Sequence, residues 1–240
     1  MLFSSSARWM LGDRLTEWPG LSFSVSVGSA LLLAFSFSMW SQATIAEVYT
    51  LHALLIGLFL AAIYMWLRNT ESLFLLLLSF FLLALSFSNH QLSIALAPLP
   101  ILAVLLARRE WLWDLIVACA MAALLVYLGF AILSGEPPIL KTATRLFYCV
   151  MTGFAMLVAL KRSKVEWRMV AYLPFVVVLG ILPYAYMPIA SSTNPPMNWA
   201  YTSTPEGFYF SFNRSQYGGS LSKQSLRSLG KLLGTDTGKA

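Results

Sequence analysis

Residues 72–107 read SLFLLLLSFFLLALSFSNHQLSIALAPLPILAVLLA, 36 positions without one Asp, Glu, Lys or Arg. A helix that crosses a bilayer needs about 20 predominantly apolar residues. The run is therefore long enough for two spans, and the polar cluster Asn89-His90-Gln91 marks the break between them. Further uncharged gaps cover residues 18–46, 48–67, 115–135, 146–160 and 169–205. Together they predict seven spans, near 21–40, 48–67, 72–88, 92–107, 115–133, 142–160 and 169–189. The runs are continuously apolar and do not alternate, which favours helices over a transmembrane barrel.

Composition agrees. Of 240 residues, 58% are hydrophobic and 11% charged, with mean hydropathy +0.72. A soluble domain carries about 25% charged residues, so a water-soluble enzyme or a nucleic-acid-binding module is excluded despite a pI near 9.4. The expected fold class is an all-α integral membrane protein, with about seven transmembrane helices and a C-terminal extramembrane tail. Residues 1–20 read as a cytoplasmic, interfacial segment without a cleavable signal. Residues 21–190 read as the multi-pass transmembrane domain, and 191–240 as a non-cytoplasmic tail. The fourth span holds Pro98 and Pro100, which predicts a kinked or partly re-entrant helix. The sixth has 15 uncharged residues and needs residues 142–145 as well, with Arg145 snorkelling to the interface.

The sparse charges orient the chain. Arg8, Arg14, Arg68, Arg108, Arg109, Lys161, Arg162, Lys164 and Arg168 fall on one side, against Lys141 and Arg145 on the other. By the positive-inside rule the N-terminus is cytoplasmic and the C-terminus outside. The partner this implies is the lipid bilayer.

Conspicuous polar residues then collect on the outer side. Trp40, Gln42, Glu47 and Tyr49 surround the first outer loop, Asn89, His90 and Gln91 form the second, and Asn198, Trp199, Arg214 and Tyr217 lie in the tail. Glu47 closes a Thr44-Ile45-Ala46-Glu47 capping-box pattern, a role compatible with a chemical one, and His90 also reads as an interfacial turn residue. Phe208, Phe210, Phe212, Tyr201, Tyr209 and Trp199 read as packing and interfacial aromatics. Cys119 and Cys149 fall inside spans and read as buried thiols. Phosphate loops, paired-Cys metal spacings and hydrolase elbows are absent from the sequence. With two His in all, His52 within the second span and His90 at a turn, no metal site or cofactor is expected.

Four landmarks in order carry a resemblance. They are Ser38-Met39-Trp40-Ser41-Gln42-Ala43 followed by Glu47-Val48-Tyr49-Thr50-Leu51-His52; then Asn89-His90; then Tyr186-Met187-Pro188-Ile189-Ala190 with Asn194-Pro195-Pro196-Met197-Asn198-Trp199; then Arg214-Ser215-Gln216-Tyr217. The chain resembles the bacterial multi-pass family named domain of unknown function 2723. That family is similar to the eukaryotic transmembrane O-mannosyltransferases of the GT-C glycosyltransferase superfamily. The resemblance implies transfer of a sugar from a polyprenyl-phosphate donor to an acceptor on the non-cytoplasmic face. It implies Glu47 and His90 as catalytic residues, and Trp40, Tyr49, Asn89, Asn198, Trp199, Arg214 and Tyr217 as substrate-binding ones. The family's acidic first outer loop and its His-Pro-Pro-Gly-Tyr-Pro stretch have no counterpart here. The expectation is therefore an N-terminally truncated member, with a second chain as the source of the missing loop. A non-catalytic scaffold or a small-solute transporter is the competing reading.

Overall fold

The computed structural model describes residues 19–44, 48–134, 146, 149–153, 156–157 and 165–212. Among these every regular element is helical, and the chain divides into two compact units, residues 1–112 and 113–240.

In the first unit, α1 (Pro19–Ala34) and α2 (Phe37–Thr44) replace the single first span expected from the charge gap. Ser36 makes the break. Its hydroxyl donates to the Leu33 carbonyl at 2.8 Å and accepts the Met39 N–H at 3.3 Å, which caps α2. Next come α3 (Tyr49–Arg68) and α4 (Leu73–Asn89), an antiparallel pair joined by the turn 69–72. The face of α3 made by Leu55, Phe59, Ala62, Ile63 and Trp66 is buried, and so are Leu76, Ser79, Phe80, Leu83, Ala84 and Ser86 of α4. Both sets recur at spacings of three and four, the stripe one helix presents to another. Many of the remaining apolar residues of α3, among them Leu51, Leu54, Leu58 and Met65, stay exposed. Water does not tolerate contiguous apolar surface on that scale, whereas lipid does. After the expected break at 89–91, the chain forms a 3-10 helix (Gln91–Leu96) and then α5 (Pro98–Ala107), with Pro98 in the first turn where its missing N–H costs nothing.

At the other end of this helix pair Arg108 ties two loops together. It contacts Glu71 at 2.6 Å and Glu110 at 2.7 Å, donates to the Thr70 carbonyl at 3.5 Å, and lies 4.3 Å over the Trp111 ring. The Glu71 hydrogen bond holds the guanidinium above its ordinary pKa; burial opposes that shift and Glu110 adds to it. Both carboxylates are exposed, so screening makes each pair weak. Arg108→Ala is expected to lower stability by about 1–2 kcal/mol, mostly through the packing on Trp111. Thermal unfolding in detergent checks this, and the loss should shrink only slightly in high salt.

The second unit contains most of α6 (Leu112–Ser134), then α7 (Trp167–Ile181), α8 (Pro183–Ser192) and α9 (Pro205–Phe212). Asp114 is buried and accepts the Glu166 N–H at 3.0 Å, which anchors the start of α7. Val117 and Val170 pack together nearby, against Met121, Met156 and Val165. Proline at 183 cannot continue the hydrogen-bond ladder of α7, and α7 and α8 meet at a 43° bend. The expected seventh span is thus a bent pair. The sixth lies largely outside the described residues; those of it that are described are helical.

Among the described residues two helices, Tyr49–Arg68 and Arg109–Phe130, are long and apolar enough to cross a membrane, or three if the bent pair counts as one span. Shorter apolar helices cover Phe23–Ala34, Leu73–Asn89 and Gln91–Ala107.

Candidate functional site

A polar cluster of the first unit sits where the N-terminal end of α3 meets the C-terminal end of α4. Tyr49 and His52 are one turn apart on α3, and Ser86, Asn89 and His90 follow one another at the end of α4. His90 leaves the helix in extended conformation, with φ −148° and ψ 118°. Its Nδ1 accepts the Leu92 N–H at 3.3 Å, capping the 3-10 helix. The His90 ring lies 4.9 Å from that of His52 and 5.7 Å from that of Tyr49, centroid to centroid. Asn89 donates from Nδ2 to the Val48 carbonyl at 3.1 Å and so holds the start of α3 against the end of α4.

Beneath the rings runs a buried hydroxyl chain. Ser86 Oγ lies 3.3 Å from His52 Nδ1 and 2.7 Å from Ser93 Oγ, and Ser93 Oγ donates to the His90 carbonyl at 2.9 Å. Ser86 and Ser93 are 0% and 1% exposed. Buried hydroxyls need partners, and here they find one another.

The structure therefore brings together Tyr49, Asn89 and His90 of the residues expected from sequence, and adds His52, Ser86 and Ser93. The signal for the additions was present. Residues 49 and 52 are three apart and share one face of α3, and 86, 90 and 93 recur at spacings of four and three, although His90 breaks the helix between the two serines. Trp40 is exposed on α2 and stacks on Phe35 at 6.5 Å. Glu47, Arg214 and Tyr217 lie outside the described residues.

Asn198 belongs to the second unit and is engaged in a local clasp. Its Oδ1 accepts from the Ser191 hydroxyl at 2.7 Å, and its Nδ2 donates to the Ser191 carbonyl at 3.1 Å. This closes the loop after α8, which Asn194 begins at φ 49°. Trp199 begins a tight turn in which Ala200 and Tyr201 both have positive φ. Phe208 and Phe212 of α9 pack with Phe130 and Tyr184, at centroid distances of 4.5–6.5 Å, as expected for packing aromatics, whereas Tyr201, Tyr209 and Phe210 of the same group are exposed. Leu125, Phe130, Val178, Ile181 and Tyr184 help line an apolar cavity of about 90 Å³. It offers room for a small apolar group, and Tyr184 carries the one polar side chain among the residues that line it.

Among the described residues no three His, Cys, Asp or Glu gather as metal ligands. What the His52–His90 end offers is two imidazoles, a phenol and a buried hydroxyl chain, which are groups suited to proton transfer and hydrogen bonding.

Residues 12–113 match the family model described as the N-terminal domain of the protein O-mannosyl-transferase TMEM260. The match spans nearly all of the first unit, including Trp40, Glu47, Tyr49, His52, Asn89 and His90, and ends before Asn198. No curated protein and no solved structure matches the chain.

Proposed function

We propose that this chain is a membrane-embedded glycosyltransferase of the O-mannosyltransferase kind, which moves a sugar from a polyprenyl-phosphate donor to a hydroxyl group on the non-cytoplasmic face. One observation carries the reading. The stretch that matches an O-mannosyltransferase domain is the same unit in which two imidazoles, Tyr49 and Asn89 converge at one end of the α3–α4 pair.

The topology that goes with it has seven spans, the N-terminus inside and the C-terminal tail outside. The start of α3 and the end of α4 then face outward, while Arg68, Arg108 and Arg109 lie on the cytoplasmic side, as the positive-inside rule asks. The GT-C architecture is part of the same reading.

An inverting transfer needs a group that takes or orients the acceptor's proton, and donors that stabilise the departing phosphate. Glu47, just before α3, and His90 are proposed for these roles. Arg214 is proposed as a phosphate contact, since a guanidinium fork donates two parallel hydrogen bonds to phosphate oxygens. Trp40, Tyr49, Asn89, Asn198, Trp199 and Tyr217 remain proposed substrate contacts.

The test is transfer of radiolabelled mannose from mannosyl-phosphoryl-polyprenol to a Ser/Thr-containing peptide, with the chain reconstituted in liposomes. Wild-type protein is expected to label the peptide, and Glu47→Gln to abolish labelling, a loss of at least about 10³-fold. Full activity in Glu47→Gln would remove Glu47 from the mechanism. Absence of labelling by wild type would overturn the reading in favour of a scaffold or transporter.

A further inference from the structure

We propose that His52 is the proton acceptor of this site and His90 its hydrogen-bond donor, the two rings being held in opposite tautomers, His52 by the hydroxyl chain beneath it and His90 by the Leu92 N–H. The proposal rests on the glycosyltransferase reading and sharpens it, because it divides the acid and base roles between two particular nitrogens.

The assignment follows from counting hydrogens. Ser86 and Ser93 are buried, so each hydroxyl hydrogen requires an acceptor. Ser93 donates to the His90 carbonyl at 2.9 Å. Its oxygen, 2.7 Å from Ser86 Oγ, therefore accepts the Ser86 hydrogen. With that hydrogen committed, Ser86 Oγ can only accept from His52 Nδ1 at 3.3 Å. Neutral His52 thus carries its hydrogen on Nδ1 and its lone pair on Nε2. Reversing the polarity, with Ser93 donating to Ser86 and Ser86 to His52, gives up the bond to the His90 carbonyl and leaves two hydrogen bonds where the first arrangement has three. At His90 the Leu92 N–H occupies Nδ1, so the ring hydrogen resides on Nε2.

Two imidazoles 4.9 Å apart therefore present complementary nitrogens, one basic and one donating. The acceptor is an alcohol, such as a Ser or Thr side chain or a sugar hydroxyl. Its O–H bond breaks, the proton goes to His52 Nε2, and the oxygen's electron pair forms the new bond to the anomeric carbon. The bond from that carbon to the donor phosphate oxygen breaks, and its electron pair leaves on polyprenyl phosphate. His90 Nε2–H donates to that departing oxygen. The His52 imidazolium then returns its proton to water. Glu47 keeps an orienting role.

Among the described residues of this unit, the titratable groups at this end are Tyr49 on α3 and His90 between α4 and the 3-10 helix. Arg68, Glu71, Arg108, Arg109 and Glu110 lie at the opposite ends of the helices.

Two readouts test the proposal on the full chain in lipid nanodiscs. The chain has only two histidines, so ring ¹⁵N shifts can be assigned with His52→Gln alone. The expected spectrum at alkaline pH shows one Nδ1–H and one Nε2–H tautomer, with the His52 preference lost in Ser86→Ala. Two histidines in the same tautomer would overturn the assignment whatever the enzyme does. In the mannose-transfer assay, His52→Gln is expected to lose about 10²-fold or more in kcat/KM and to lose the acidic limb of the pH profile, at unchanged melting temperature. A His52→Gln variant within about threefold of wild type, its acidic limb intact, overturns the base role while the glycosyltransferase reading stands. Absence of transfer by wild type, with the opposite tautomers present, overturns that reading and the base role with it, but not the tautomer assignment.

Discussion

Replacing Gly207 by alanine is expected to unfold the corner formed by the turn 199–201 and α9, and replacement by valine to do so more completely. Thr204 caps α9. Its hydroxyl donates to the Tyr201 carbonyl at 2.9 Å and accepts the Gly207 N–H at 3.2 Å, with Pro205 at the first helical position. Ala200 and Tyr201 adopt φ of 62° and 49°, which turns their carbonyls onto the first turn of the helix. A Cβ on Gly207 would overlap the Ala200 and Tyr201 carbonyl oxygens outright. Those atoms are backbone, so no rotamer change relieves the overlap, and α9 must lift away. Phe208, 1% exposed, would then leave the Phe130–Tyr184–Phe212 cluster. Overpacking of this kind costs about 3 kcal/mol or more, since it adds strain to lost burial. Limited proteolysis between residues 193 and 213, together with melting in detergent, would show it. The control is Gly57→Ala on α3, where an added Cβ meets nothing within 4 Å and stability should hold or rise slightly. Equal melting of Gly207→Ala and wild type would show that the turn yields more easily than its geometry indicates.

Charge gaps located the helices well because a membrane span must be apolar over its whole length. The second, third and fifth expected spans and the break at 89–91 coincide with helices and a helix end. The interruptions inside apolar runs were harder to see. Ser36 breaks the first run by a side-chain hydrogen bond to its own backbone, which hydropathy does not register. Pro183 was visible, but a proline in an apolar run reads equally as a kink within one span. The 43° bend depends on how the two halves pack.

The site divided along the same line. Tyr49, Asn89 and His90 stood out because polar residues at the ends of apolar runs are conspicuous. His52, Ser86 and Ser93 lie inside those runs, where serine is tolerated by bonding back to its own helix, as Ser79 does to Leu76. Only the antiparallel pairing of α3 with α4 puts Ser86 beside His52, at a sequence separation of 34. Asn198 shows the converse. Its motif is prominent in the sequence, yet both ends of its amide are taken by Ser191, which assigns it first to shaping the loop.

His90→Asn and His90→Ala separate the chemistry of the imidazole from its structural work. The His90 ring accepts the Leu92 N–H at the start of the 3-10 helix, and an Asn oxygen can take over that cap, as it does at helix N-termini. His90→Asn should therefore stay within about 0.5 kcal/mol of wild type, whereas His90→Ala should lose about 1–2 kcal/mol with the cap. Both variants remove the imidazole Nε2–H, and an Asn amide whose oxygen caps Leu92 does not extend its N–H as far as that nitrogen. If His90 stabilises a departing phosphate, each should lose about 10²–10³-fold in transfer, since a single well-placed donor in a water-poor site is worth that much. The variants would then differ in melting temperature but not in rate. If His90 only closes the end of α4, rate should follow stability, and His90→Asn should remain nearly as active as wild type. The comparison discriminates because the two roles reside on different nitrogens of one ring. Nδ1 holds the backbone, and Nε2 carries the hydrogen that chemistry would use.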